Sequence, residues 1–101
     1  MQAPDGYEWD EAMNARCLNE YGFSFHDVVG IFESDEFEYL LLGPFETEGE
    51  PRWVAIGALR WGSVFAVVYT ERPPNRRIIW VRPGRRSERA AFYDHNDWGQ
   101  P

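Results

Sequence analysis

The chain has 101 residues, 44% of them apolar, with five Trp, five Tyr and seven Phe. That length and composition suit one hydrophobic core, and they argue against two independent domains or a disordered chain. The net charge of −7 divides unevenly: residues 1–50 carry thirteen acids against Arg16 alone, and residues 51–101 carry nine arginines against Glu71, Glu88, Asp94 and Asp97.

Tyr7-Glu8-Trp9 reads as a short extended segment. Asp10 suits a helix N-cap, Met13, Cys17 and Tyr21 share one helical stripe, and Gly22 ends the helix. Ser24 followed three residues later by Asp27 resembles a capping box, with Phe23 and Val28 spaced as a hydrophobic staple. Phe25, Val28, Val29 and Phe32 then fall on one apolar face, which predicts a second helix over 24–32.

After the acidic stretch 33–38 the period changes from helix to strand. Tyr39-Leu40-Leu41-Leu42 predicts a strand, and Gly43-Pro44 through Pro51 a loop. Trp53 to Trp61, a turn at Gly62, and Ser63 to Thr70 predict a hairpin. Pro73-Pro74-Asn75 predicts the next turn, Arg76–Arg82 the last strand, and Arg85–His95 a helix after Pro83-Gly84. The tail from about residue 94 to 101 is expected to fray. The predicted order is β-α-α-β-β-β-β-α, an α+β domain spanning residues 1–101, with a mostly antiparallel sheet of four to five strands. Phe25, Val28, Val29, Phe32, Ile56, Val68 and Ile79 are its expected core.

Cys17 is the only cysteine, so no internal disulfide forms and a reducing compartment fits. The first residues have no apolar signal region and no stretch is apolar enough to span a bilayer, which predicts a cytoplasmic protein with no membrane contact. His26, His95 and Cys17 have no zinc-site spacing, and phosphate loops and nucleophile elbows are absent. No metal and no cofactor are expected.

The basic cluster carries more information. Seven arginines lie between Arg72 and Arg89, around Trp80. Strict strand alternation puts Arg76, Ile78, Trp80 and Arg82 on one face and Arg77, Ile79 and Val81 on the other. Guanidinium groups beside an aromatic ring suit RNA: the charge meets phosphate and the ring stacks on a splayed base. Arg76, Trp80, Arg85 and Arg86 are the RNA-binding candidates on this ground. The alternative is that Trp80 packs under the last helix while the arginines pair with the acidic first half.

Six strings extend the reading. They are Tyr7–Ala12 (YEWDEA), Tyr21–Phe25 (YGFSF), Val28–Phe32 (VVGIF), Arg52–Gly57 (RWVAIG), Val67–Arg72 (VVYTER) and Arg77–Arg82 (RIIWVR). In this order and spacing the chain resembles the BrnT family of toxins from type II toxin–antitoxin systems. The resemblance implies a RelE-like fold, metal-independent endoribonuclease activity, and neutralisation by a BrnA-type antitoxin. On the matching positions it implies a site built from Arg72, Arg77, Arg82 and Glu88, with Tyr93 also retained. A homodimer is a further expectation.

The chain departs from the family pattern at several points. Glu20-Tyr21-Gly22 stands where the family usually reads Lys-His-Gly, Met13 and Cys17 replace a usual Lys and Asn, and Trp80 replaces a small residue. Metal-free cleavage of RNA needs a base for the 2′-OH, an acid for the leaving oxygen, and cations for the phosphorane. Arginine supplies only the cation. Glu88 is then the candidate base, and Tyr21 or Tyr93 the candidate acid. The second reading is a BrnT-like scaffold without useful catalysis that binds a host protein complex, such as a phage- or mobile-element-encoded inhibitor.

Overall fold

A computed structural model describes residues 3–34, 37–59 and 63–97. Three helices and five strands follow in the predicted order. The short strand β1 (Tyr7–Glu8) leads into α1 (Glu11–Tyr21), whose first turn is capped by Asp10: the Ala12 N–H donates to Asp10 Oδ1 at 2.8 Å. Gly22 stops α1 at φ +80°, a left-handed conformation that glycine adopts without steric cost, and its N–H reaches the Leu18 carbonyl at 2.9 Å. Helix α2 (Phe25–Glu33) opens with the Ser24 N–H on Asp27 Oδ2 at 2.9 Å. The Phe25 N–H donates to Asn14 Oδ1 at 2.7 Å, which ties the first turn of α2 to α1.

The remaining elements are β2 (Leu40–Thr47), β3 (Glu50–Ala58), β4 (Val64–Arg72), β5 (Asn75–Pro83) and α3 (Arg86–His95). They form one sheet in the order β1-β5-β4-β3-β2, antiparallel throughout except for the parallel pair β1–β5. The predicted loop over 43–51 is largely strand. Past Gly43-Pro44 the β2 register shifts, and pairing resumes from Phe45↔Arg52 to Thr47↔Glu50. The turn expected at Gly62 and the end of the tail, 98–101, lie outside the described residues.

Helices α1 and α2 cover one face of the sheet. Phe25, Val28 and Ile31 pack there on Ala55, Val67, Tyr69, Ile78 and Val81. Gly57 lets α2 come this close, because a β-carbon at that position would run into the Ile31 side chain. Helix α3 covers part of the other face, with Phe92 buried against Ile56, Val64 and Ala66.

Of the expected core residues, Phe25, Val28 and Ile56 are fully buried and Val29, Phe32, Val68 and Ile79 partly so, while Ile31 and Ile78 are buried as well. On α2 the buried positions run 25, 28, 31, a stripe rotated from the predicted one. On β5 the cause is a β-bulge: Val68 pairs with Trp80 and Tyr69 with Ile78, so Ile79 has no cross-strand partner.

Candidate functional site

The bulge changes which arginines share a face. Arg77 lies opposite Thr70 and Arg82 opposite Ala66, and residues four apart on β4 point the same way. Without the extra residue, Arg77 and Arg82 would face opposite sides. Arg76 lies opposite Glu71 and turns to the α1–α2 face, where its guanidinium sits 4.5 Å from the Phe32 ring centroid and 4.7 Å from that of Tyr69. Of the predicted common face, Arg76 and Trp80 stay on the side of the helix pair, and Arg82, opposite Ala66, leaves it. Trp80 lies with the helix pair, its ring 6.2 Å from Tyr21 and 6.4 Å from Phe25, and not under α3.

Most of the arginine cluster is matched by carboxylates. Arg77 meets Glu8 at 3.0 Å, Arg72 meets Glu50 at 3.2 Å and Arg76 meets Glu71 at 2.8 Å. Two of these acids come from the first half of the chain, so the charge division of the sequence closes partly on itself. Arg72 and the residue facing Arg82, Ala66, are six positions apart on β4. At about 3.3 Å per residue that is roughly 20 Å, too far for a shared phosphate contact. Thr70 and Ala66 place Arg77 roughly 13 Å from Arg82 by the same measure.

A tighter cluster forms where β5 ends and α3 begins. Arg82 Nη1 donates to Glu88 Oε1 at 2.7 Å and Nη2 to Oε2 at 2.9 Å. The Arg85 N–H also donates to Glu88 Oε1, at 2.7 Å, so one carboxylate caps α3 and holds the arginine. The two side chains are 25% and 11% exposed. Hydrogen bonds from Arg82, and then from the Arg85 backbone, hold the Glu88 carboxyl down at about 2. Glu88 in turn raises the Arg82 pKa.

Buried Gly84 makes room for this corner. Its N–H bonds the Val64 carbonyl at 2.9 Å, and a β-carbon would press on Val64 at 3.1 Å. Arg85 and Arg86 are exposed at the start of α3. Tyr21 ends α1, and its electrostatic influence on Arg82 is weaker than that of Glu88. Its ring stacks on Phe23 at 5.8 Å and 20°, and Phe23 packs edge-on to Phe65 at 4.5 Å. Tyr93 lies on α3 beside Phe92, 6.1 Å between ring centroids, against the α3-side core.

The structure thus brings Arg82, Arg85 and Glu88 to one corner, with Tyr21 linked to Trp80 rather than to that ion pair, and leaves Arg72, Arg76 and Arg77 elsewhere. The sequence reading missed Arg16, which stands outside the basic segment. Its guanidinium lies 5.2 Å from the Trp80 ring centroid. No local signal marks it, because its contact with Trp80 joins α1 to β5 across most of the chain.

The nitrogen and sulfur groups are dispersed. His26 lies against Trp9, His95 is 3.7 Å from Glu38, and Cys17 is buried, its thiol pushed up to about 11 by that burial. Among the described residues no three His, Cys, Asp or Glu side chains are grouped to hold a metal ion. Nor is any helix among them long and apolar enough to cross a membrane.

No curated protein matches the chain. Residues 9–88 do match a family described as the ribonuclease toxin BrnT of type II toxin–antitoxin systems, and the matched span runs from Trp9 to Glu88. With most of its length covered by that match, this chain belongs to the BrnT family of type II toxin–antitoxin ribonuclease toxins.

Proposed function

We propose that the corner formed by Arg82, Arg85 and Glu88, together with Tyr21, cleaves RNA without a metal ion, and that a BrnA-type antitoxin neutralises it. The observation that carries this reading is the bidentate Arg82–Glu88 pair beside the exposed Arg85. A guanidinium already oriented by a carboxylate is held in place for a phosphate that takes over its N–H groups, at little entropic cost. In the proposed step the 2′-oxygen attacks phosphorus, its proton passes to a carboxylate, and the 5′-oxygen leaves with a proton from Tyr21. The new bond closes a 2′,3′-cyclic phosphate. Arg82 and Arg85 meet the charge that builds on the phosphorane.

Glu88 accepts that proton only if it is released. An incoming phosphate competes for the Arg82 fork, and a carboxylate that loses those hydrogen bonds regains basicity. Arg77 and Arg72, farther along the same face, are proposed to contact flanking phosphates of the strand.

The low pKa of Glu88 also favours a second reading. While the ion pair stays closed, the corner offers no strong proton acceptor near neutrality, and Glu20 stands where the family usually carries a lysine. The chain then acts by binding a protein, such as a host nucleic-acid-binding complex. Incubating the purified protein and Arg82→Ala with RNA, with and without chelator, separates the two. Cleavage by the parent that survives chelator and is lost in the variant supports the nuclease; no cleavage in any arm supports the binding protein.

A further inference from the structure

Residues 1–50 carry a single cation, and the fold sets it against the aromatic residue of the basic segment. The Arg16 guanidinium lies 5.2 Å from the Trp80 ring centroid, with its side chain 63% exposed. Trp80 in turn is 6.2 Å from Tyr21. Arg16, Trp80 and Tyr21 therefore form a seam from α1 to β5, and Arg82 follows Trp80 by two residues on that strand.

We infer that Arg16 and Trp80 form a second nucleotide subsite on this seam, for the unpaired nucleotide next to the phosphate held by Arg82. The inference rests on the ribonuclease reading and extends it to single-stranded RNA. Three physical facts support it. A guanidinium within about 6 Å of an indole face is attracted by the ring quadrupole and held flat. A flat guanidinium covered on one side offers its other side to an unstacked base and its N–H edge to a phosphate. And Arg16 is surrounded by an acidic half-chain, so a polyanion can extend onto α1 only where this cation stands.

Glu20 opposes the subsite without closing it. It accepts from Arg16 Nε at 2.9 Å in an exposed i, i+4 pair, a contact that solvent screens and that contributes little. A phosphate can displace it, and the neutral amide should admit RNA more readily.

The test measures binding of a fluorescein-labelled, single-stranded 2′-O-methyl RNA, which lacks the attacking hydroxyl, by anisotropy over a range of salt. Arg16→Ala, which suits a helix, should weaken binding about tenfold, as expected for a lost stacking platform. It should also make the slope of log K against log salt shallower by about 0.7, the loss of one phosphate contact on a single strand. Arg16→Lys should restore the slope but not the full affinity, Trp80→Leu should weaken binding with a smaller change in slope, and Glu20→Gln should tighten it. A parent that binds and cleaves RNA while Arg16→Ala keeps both affinity and slope overturns the subsite and leaves the nuclease standing. A parent that neither binds nor cleaves RNA overturns both. Arg16→Ala that weakens capture of the antitoxin but not of RNA overturns the subsite in favour of a protein contact.

Discussion

Arg82 grips Glu88 through both terminal nitrogens, at 2.7 and 2.9 Å, and the same carboxylate takes the Arg85 N–H at 2.7 Å. Its folded pKa of about 2 lies below the ordinary 4.5, so Glu88 stabilises the fold above the unfolded value. That contribution fades as pH falls from about 4.5 towards 2, and below both values it is gone. After allowance for solvent screening it is worth on the order of 1–2 kcal/mol. Glu88→Gln is expected to lower the unfolding free energy at pH 7 by that amount and to flatten the acid limb over this range. Urea titrations at pH 7 and pH 3 measure both; equal losses at the two pH values would contradict the assignment.

For activity, Arg82→Ala should abolish RNA cleavage while the fold persists, the loss of a phosphorane contact being worth about 10²–10³ in rate. Glu20→Lys combined with Tyr21→His should speed cleavage, because it removes a repelling carboxylate and supplies a group titrating near neutrality. Single-turnover rates on a labelled oligonucleotide give the comparison. A silent parent with a silent double variant would leave the protein-binding reading.

The bulge in β5 separates two adjacent isoleucines. Ile78 is buried and Ile79 half-buried. Ile78→Ala should cost about 2–5 kcal/mol, the range for a buried isoleucine, and Ile79→Ala distinctly less. Chemical denaturation of the two variants decides the register, and a reversed order would mean that the bulge lies elsewhere.

Gly57→Ala tests the approach of α2 to the sheet. The added methyl would meet Ile31, so a loss of about 1–3 kcal/mol is expected from overpacking. In an Ile31→Ala background the same change should cost much less, since the colliding atoms are gone. Additive losses in this double-mutant cycle would show that the two residues do not touch.

What the sequence disclosed was mostly local. The Asp10 cap, the Gly22 stop and the Ser24–Asp27 start involve residues within four positions of one another, and each is present in the structure. Tertiary register was less legible. Nothing in Arg77-Ile78-Ile79-Trp80-Val81 announces an extra residue, because a bulge is specified by the strand opposite as much as by its own side chains. That one residue moved Ile79 out of the core and put Arg77 and Arg82 on the same face. The Arg16–Trp80 contact is also long-range, and an acidic first half gives no hint that its lone arginine joins the basic segment.

The smallest strand can join the sheet only late in synthesis. Tyr7 and Glu8 pair with Arg76 and Arg77, and the Glu8–Arg77 ion pair bridges 69 positions of sequence. During synthesis from the N-terminus, β1 has no strand to join until β5 has left the ribosome, and β5 has no neighbour until β4 precedes it. The corner at Arg82 and Glu88 lies later still. A nascent chain cut short at any point before residue 76 therefore has neither its outer strand seated nor its arginine fork built, and long-range closure of this kind is slow relative to local helix formation. The Arg82–Glu88 corner is thus complete only with the last quarter of the chain.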